Sequence, residues 1–214
     1  MKCLLCHSDF SPVPYFHQLF LLAPSLPTLC TLCDSKFQLI NAPHCERCYK
    51  AEINGVCSDC LRWERKGLSV NHRAVFTYNP AMEEYFSLYK FMGDYRLRKA
   101  FSHYFKAEKN YTLVPIPVST ERYHERGFNQ VLGFLEHLNY TNLLVKKDTA
   151  AQSSLSRAER LKNKNTFTIK AKVKIPKKVL LVDDIYTTGN TIQQAIAILK
   201  SAGVQEIKSF SLCR

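Results

Sequence analysis

The chain has no apolar run long enough to cross a membrane, which takes about 20 consecutive residues. Leu19 to Leu22 is a short apolar patch, but it does not open the chain and Pro24 follows it. It reads as a packing segment and not as a secretory signal, so a cytoplasmic protein is expected. The composition of a disordered chain is also missing. At 46% hydrophobic, the 214 residues can bury a core, with room for one ordinary domain and a small one. Acidic residues are in short supply, 18 against 30 Lys and Arg, leaving a formal charge of +12. The excess is uneven: residues 146–178 hold 11 Lys and Arg against only Asp148 and Glu159. Such a window favours polyanions, with salt-sensitive affinity, although a solvated face of a basic protein would look similar. Within it, Lys146, Lys147, Arg157, Arg160, Lys162 and Lys164 are the candidate nucleic-acid contacts.

Eight of the 9 cysteines form four C-x-x-C pairs: Cys3/Cys6, Cys30/Cys33, Cys45/Cys48 and Cys57/Cys60. Each pair sets two thiolates on a tight turn, which suits one edge of a zinc tetrahedron, and two pairs close a four-thiolate site. One or two structural zinc ions are expected. Cys45/Cys48 with Cys57/Cys60 is the closer-spaced combination; Cys3/Cys6 with Cys30/Cys33 encloses a longer loop, and a crossed pairing stays open. Disulfides fit poorly with a cytoplasmic chain, and a redox pair would explain one motif out of four. A loop-rich segment this small needs metal to fold. Cys213 stands apart and reads as a small buried hydrophobe.

The chemistry centres on Val179 to Thr191, V-L-L-V-D-D-I-Y-T-T-G-N-T. Four apolar residues suit a strand buried on both faces. Asp183 and Asp184 follow, then a small polar loop, then Ile192, Ala195, Ile196, Leu199 and Ala202 at helical spacing, with Gly203 placed as a C′ glycine. The first N–H groups of a helix have no internal partner and sit at its positive end. A Thr- and Gly-rich loop lets a phosphate reach them, and carboxylates at a strand's carboxyl end can accept from sugar hydroxyls. The stretch therefore fits a phosphorylated sugar. An ordinary strand–turn–helix is the bland alternative, and two adjacent buried acids argue against it.

Around this stretch, residues 1–66 read as the metal module and 67–214 as the second domain. Leu61 to Arg73 reads as a connector. Strands are expected near Ala74–Tyr78, Leu113–Ile116, Leu143–Val145, Phe167–Ile169, Val179–Val182 and Ile207–Leu212. Helices are expected over 81–92, with Met82, Tyr85, Phe86, Tyr89 and Met92 on one face, over 95–107, and after the 118–130 stretch to about Leu138. Residues 149–166 are polar, with Ser156 and Glu159 in capping-box spacing. Strands alternating with helices predict an α/β fold with a parallel sheet flanked by helices.

The 179–191 stretch resembles the phosphoribosyl pyrophosphate (PRPP) signature of type I phosphoribosyltransferases. V-P-I-P at 114–117, R-G-F-N-Q at 126–130, Q-S-S-L-S-R-A-E-R-L-K-N at 152–163 and that signature occur in order behind the four C-x-x-C pairs. Over nearly the whole chain, this set is similar to the ComF/ComFC competence proteins, a phosphoribosyltransferase-like branch. The resemblance implies that Asp183 and Asp184 hold the ribose 2′- and 3′-hydroxyls, directly or through Mg²⁺. It implies that Thr187, Thr188, Gly189, Asn190 and Thr191 hold the 5′-phosphate. It also implies that the 117–119 turn is the pyrophosphate loop and 149–166 the loop that closes over PRPP. The biological role it implies is uptake of transforming DNA, with single-stranded DNA and an ATP-driven ComFA-type helicase as partners.

Phosphoribosyl transfer needs Mg²⁺ on the diphosphate and cations for its developing charge. Arg122, Arg126, Arg157, Arg160 and Lys162 are candidates; Arg126 could equally pair with Glu121 or Glu125, and His124 reads as a surface histidine. No base-binding segment is recognisable, and catalytic residues stay unassigned. A DNA-uptake factor with a PRPP-type site, a salvage phosphoribosyltransferase with an unknown acceptor, and an adaptor with a vestigial site are the competing functions.

Overall fold

The structure is a computed structural model that describes residues 1–11, 27–146 and 166–214. Its strands are β1 (His72–Phe76), β2 (Thr112–Pro115), β3 (Leu144–Lys146), β4 (Phe167–Ile169), β5 (Lys178–Ile185) and β6 (Glu206–Cys213). Its α-helices are α1 (Thr31–Asp34), α2 (Ser58–Arg65), α3 (Pro80–Lys90), α4 (Arg98–Phe101), α5 (Thr120–Arg126), α6 (Gln130–Phe134) and α7 (Asn190–Ser201). Four strands pair in parallel in the order β1-β6-β5-β2. β5 is therefore flanked on both sides and covered on both faces, which explains its uniformly apolar start.

The sheet separates two cores. On one face Leu180, Val182 and Leu212 pack with Met82, Tyr85, Phe86 and Tyr89 of α3 and with Phe101 and Phe134. On the other, Val179, Leu181 and Val114 pack with Ile192, Ala195, Ile196 and Leu199 of α7, and with Leu144 and Phe167. Helix α3 starts on Pro80 at its first turn, with the Asn79 side chain accepting from the Met82 N–H at 3.0 Å. Gly203, at φ +100°, follows α7 in the left-handed conformation expected of a C′ glycine.

The cysteine-rich segment is not a separate lobe. Residues 38–40 run along β1, with Ile40 N–H donating to Val75 O at 2.8 Å and Thr77 N–H to Gln38 O at 2.9 Å. Phe37 inserts edge-on among Phe76, Tyr85 and Phe101. Cys3, Cys30 and Cys33 join the first core, and Cys45, Cys48, Cys57 and Cys60 join the second. The segment thus grips the β1 edge from both faces.

Several expectations need correction. Residues 95–107 do not form one helix: a 3₁₀ turn at Tyr95–Leu97, capped by the Asp94 side chain, leads into α4 and a second 3₁₀ turn at Ser102–Tyr104. Met92 is 76% exposed because α3 ends at Lys90. Leu61–Arg65 belongs to α2, so the supposed connector begins inside a helix. The helix expected to follow the 118–130 stretch to about Leu138 is α6, which stops at Phe134, and a separate helix, α5, lies within that stretch and ends at Gly127 with φ +77°. β3 and β4 form an antiparallel pair outside the main sheet. The Leu19–Leu22 patch, the 149–165 part of the closing loop with Ser156 and Glu159, and Lys147, Arg157, Arg160, Lys162 and Lys164 lie outside the described residues. Among the described residues, no helix is long and apolar enough to cross a membrane.

Candidate functional site

The cysteines gather as two groups, Cys3/Cys6/Cys30/Cys33 and Cys45/Cys48/Cys57/Cys60, with the four Sγ atoms of each within 4.8 Å of one another. This is the uncrossed pairing. Both groups follow one plan. A short bridge, Lys2 with Asp9 or His44 with Ala51, presents the first C-x-x-C. A residue in the left-handed conformation follows it, His7 at φ 59° or Tyr49 at φ 61°. The second pair opens a helix, with Cys30 and Cys57 as N-caps sharing φ −72° and ψ 160°. A zinc tetrathiolate with bonds of 2.3 Å has sulfurs about 3.8 Å apart. The Cys48–Cys57 and Cys45–Cys60 separations are 3.6 and 3.9 Å, and Cys6–Cys30 is 3.7 Å. Backbone N–H groups also aim at the sulfurs, Cys57 N–H at Cys45 Sγ (3.3 Å) and Cys30 N–H at Cys3 Sγ (3.4 Å). Such donors stabilise thiolate, so the residues fit a structural metal in both groups. Cys6 is exposed, whereas the second group is buried throughout.

The second site lies at the carboxyl end of β5. Asp183 and Asp184 are 7% and 6% exposed, and the Asp184 N–H donates to Asp183 Oδ1 at 2.9 Å. The two carboxyls are not equivalent. Burial pushes Asp183 up, the neighbouring Asp184 charge adds to that, and its carboxyl is held well above the usual range. Burial would raise Asp184 too, but the Lys90 ammonium, 2.5 Å away, outweighs it and holds this carboxyl below its usual value. Lys90 comes from the last turn of α3, where nothing in the local sequence marks it out from an ordinary helix-end cation.

After the acids the chain turns at Tyr186 and reaches the loop. Thr187, Thr188, Asn190 and Thr191 are exposed, while Gly189 is buried at φ +83° as the N-cap of α7. A Cβ at Gly189 would stand 2.2 Å from Tyr186 Oη, so only glycine fits. The 117–119 turn leaves β2 alongside, since Pro115 is in register with Val182 and the Ile116 N–H donates to Val182 O at 2.8 Å. The acids, the Thr187–Thr191 loop and the 117–119 turn therefore meet at one end of the sheet. Arg126 is nearby: it donates to Gln130 Oε1 at 2.8 Å and lies 5.6 Å from the Phe91 ring centre, instead of pairing with Glu121 or Glu125. A cleft of about 490 Å³ runs between Lys90 and Arg126, walled by Tyr78, Phe86 and Phe91. Lys146, at the end of β3, is half-buried over Phe167, 5.9 Å from its ring centre.

A parallel sheet carrying an acidic pair and a Thr/Gly loop at the carboxyl end of one strand defines a phosphoribosyltransferase-like protein. The phosphoribosyl transferase domain family matches residues 144–214. The chain is 47% identical over its full length to the full-length competence protein ComFC of Streptococcus pneumoniae. It is 36% identical to ComFC of Bacillus subtilis, covering 99% of this chain and 94% of that one. To competence protein F of Haemophilus influenzae it is 27% identical, covering 87% and 90% of the two chains. The chain belongs to the ComF/ComFC family of competence proteins.

Proposed function

We propose that this protein is a cytoplasmic competence factor that binds PRPP with Mg²⁺ and engages incoming single-stranded DNA beside a ComFA-type helicase. The observation that carries the PRPP reading is the meeting of Asp183, Asp184 and the Thr187–Thr191 loop at one strand end. Asp183 and Asp184 accept from the ribose hydroxyls directly or through Mg²⁺. Thr187, Thr188, Gly189, Asn190 and Thr191 bind the 5′-phosphate through amides and hydroxyls. Residues 1–66 form the metal module and 67–214 the PRPP domain. The competence role follows from the family, whose relatives are named competence proteins. DNA contact is assigned to Lys146, Lys147, Arg157, Arg160, Lys162 and Lys164 on the strength of the charge window.

A second reading, transfer of the phosphoribosyl group to an acceptor, is favoured by the aromatic-walled cleft between Lys90 and Arg126. Calorimetry with PRPP and Mg²⁺ on the wild type and on Asp183→Asn/Asp184→Asn tests the main reading. Each lost charged hydrogen bond should weaken binding by about 1.5–3 kcal/mol. Equal affinities in both proteins would remove the acids from the site. Pyrophosphate release with a panel of bases separates turnover from binding alone.

A further inference from the structure

The wall behind the Thr187–Thr191 loop is the second cysteine group. Trp63, on α2 three residues beyond Cys60, donates its indole N–H to Thr188 O at 2.9 Å. Arg214, its side chain only 7% exposed, is shared among three elements. Its Nε donates to Cys48 Sγ at 3.4 Å, one terminal nitrogen to the carbonyls of Thr187 and Tyr186, and the other to Asp59 at 3.2 Å. The guanidinium also lies 5.0 Å from the centre of the Tyr186 ring, which stacks on the buried His72.

A trans peptide is planar, and its C=O and N–H point in opposite directions. Donors that hold the carbonyls of Thr187 and Thr188 toward the cysteine group therefore turn the N–H groups of Thr188 and Gly189 the other way, toward the mouth of the loop. Water could satisfy those carbonyls, but it would leave the peptide planes free to flip. Arg214 suits the opposite end of the strut as well. A divalent metal with four thiolates carries a net charge of −2, and a buried guanidinium beside one sulfur offsets it.

We propose that Trp63 and Arg214 are positioning residues, a strut from the Cys45/Cys48/Cys57/Cys60 metal group that aims the Thr188 and Gly189 amides at an incoming phosphate. Metal loading and anion binding then reinforce each other, because coupling between two sites is reciprocal. The inference rests on the phosphate reading of the Thr187–Thr191 loop.

The test uses full-length protein loaded with zinc, as wild type, Trp63→Phe, Arg214→Lys and Arg214→Gln. Zinc content, the rate of zinc loss to a chelator, and PRPP–Mg²⁺ affinity are measured for each. Trp63→Phe keeps the ring and removes one neutral donor, so PRPP should bind roughly threefold to tenfold more weakly at unchanged zinc content. Arg214→Lys keeps the charge near Cys48 but lacks the fork that spans sulfur and carbonyl, so zinc is retained and PRPP affinity falls roughly tenfold. Arg214→Gln should lose PRPP affinity and release zinc faster. PRPP should slow zinc loss in the wild type and not in Arg214→Gln. Wild-type PRPP affinity in both Trp63→Phe and Arg214→Lys would overturn the strut. If the wild type itself binds no PRPP, the phosphate reading falls alone and zinc loss still judges the strut. Arg214→Gln releasing zinc at the wild-type rate, with the emission of Trp63 unmoved by zinc removal, would then sink it. Trp63 is the chain's sole tryptophan, so that signal is unambiguous.

Discussion

Cys3–Cys33 and Cys45–Cys60 repeat one plan, down to the left-handed residue after the first pair and the N-cap angles of the second, but their neighbours differ. The first group rests on the face covered by α3, where Asp184 is matched by Lys90. The second rests on the face of α7, where strand alternation turns Asp183 toward the side of Val179 and Leu181, and burial with the Asp184 charge outweighs the weaker pull of Lys90 on it. Two cysteine groups of one plan thus sit in different surroundings: one packs into a core, and the other lies behind the Thr187–Thr191 loop. The local motif sets which ligands a metal would meet, and the contacts brought by the fold decide what each cysteine group packs against.

The largest contrast should come from the cysteines themselves. Cys45→Ser with Cys48→Ser is expected to make residues 1–60 protease-sensitive and to abolish PRPP binding, since structural zinc contributes on the order of 10 kcal/mol to such units. Cys3→Ser with Cys6→Ser should lower zinc content from two per chain to one and leave most PRPP affinity in place. Metal analysis, limited proteolysis and calorimetry read the outcomes, and equal loss in both variants would erase the distinction. Next in size is Lys90→Met, which strands the buried Asp184 charge and should lower unfolding free energy by about 3 kcal/mol. Adding Asp184→Asn should recover much of it in chemical denaturation, because both partners are then neutral.

A smaller effect separates the two acids by pH. Asp183 titrates above its ordinary 3.8 in the fold, so its contribution to stability is complete below that value and is lost as pH rises through the raised one. Asp184 runs the other way, losing its contribution as pH falls through its lowered value. Asp183→Asn should therefore gain on the wild type as pH rises from about 4, measured as the difference in Tm across a pH series. Asp184→Asn should show no such gain. The smallest expected change is Lys146→Gln, which should leave Tm unchanged and reduce the salt slope of DNA binding by about 0.9 if Lys146 meets one phosphate.

What could be read in the sequence was whatever is local. The strand, acids, loop and helix of Val179–Ser201 are contiguous, and each C-x-x-C pair is its own signal. Lys90, Trp63 and Arg214 reach the site from other elements, so no spacing announces them. Met92 misled because apolar periodicity continues past the point where α3 stops. The helix expected over 95–107 misled because Asp94 caps a tighter turn there, and packing of Leu97 and Phe101 outweighs helical periodicity. β3 and β4 read as strands but not as a separate pair, because register is a tertiary property.

The edge strand β1 has a further meaning for the protein's life in the cell. An unpaired strand edge is a template for joining other chains, and β1 is shielded by residues 38–40 of the cysteine-rich segment. Zinc shortage would then do more than empty a site. It would expose a self-associating surface next to apolar core residues such as Phe76, and quality control would meet an aggregating species instead of an idle one. The supply of competent protein would follow the cell's zinc status through solubility, whatever the state of its ligand site.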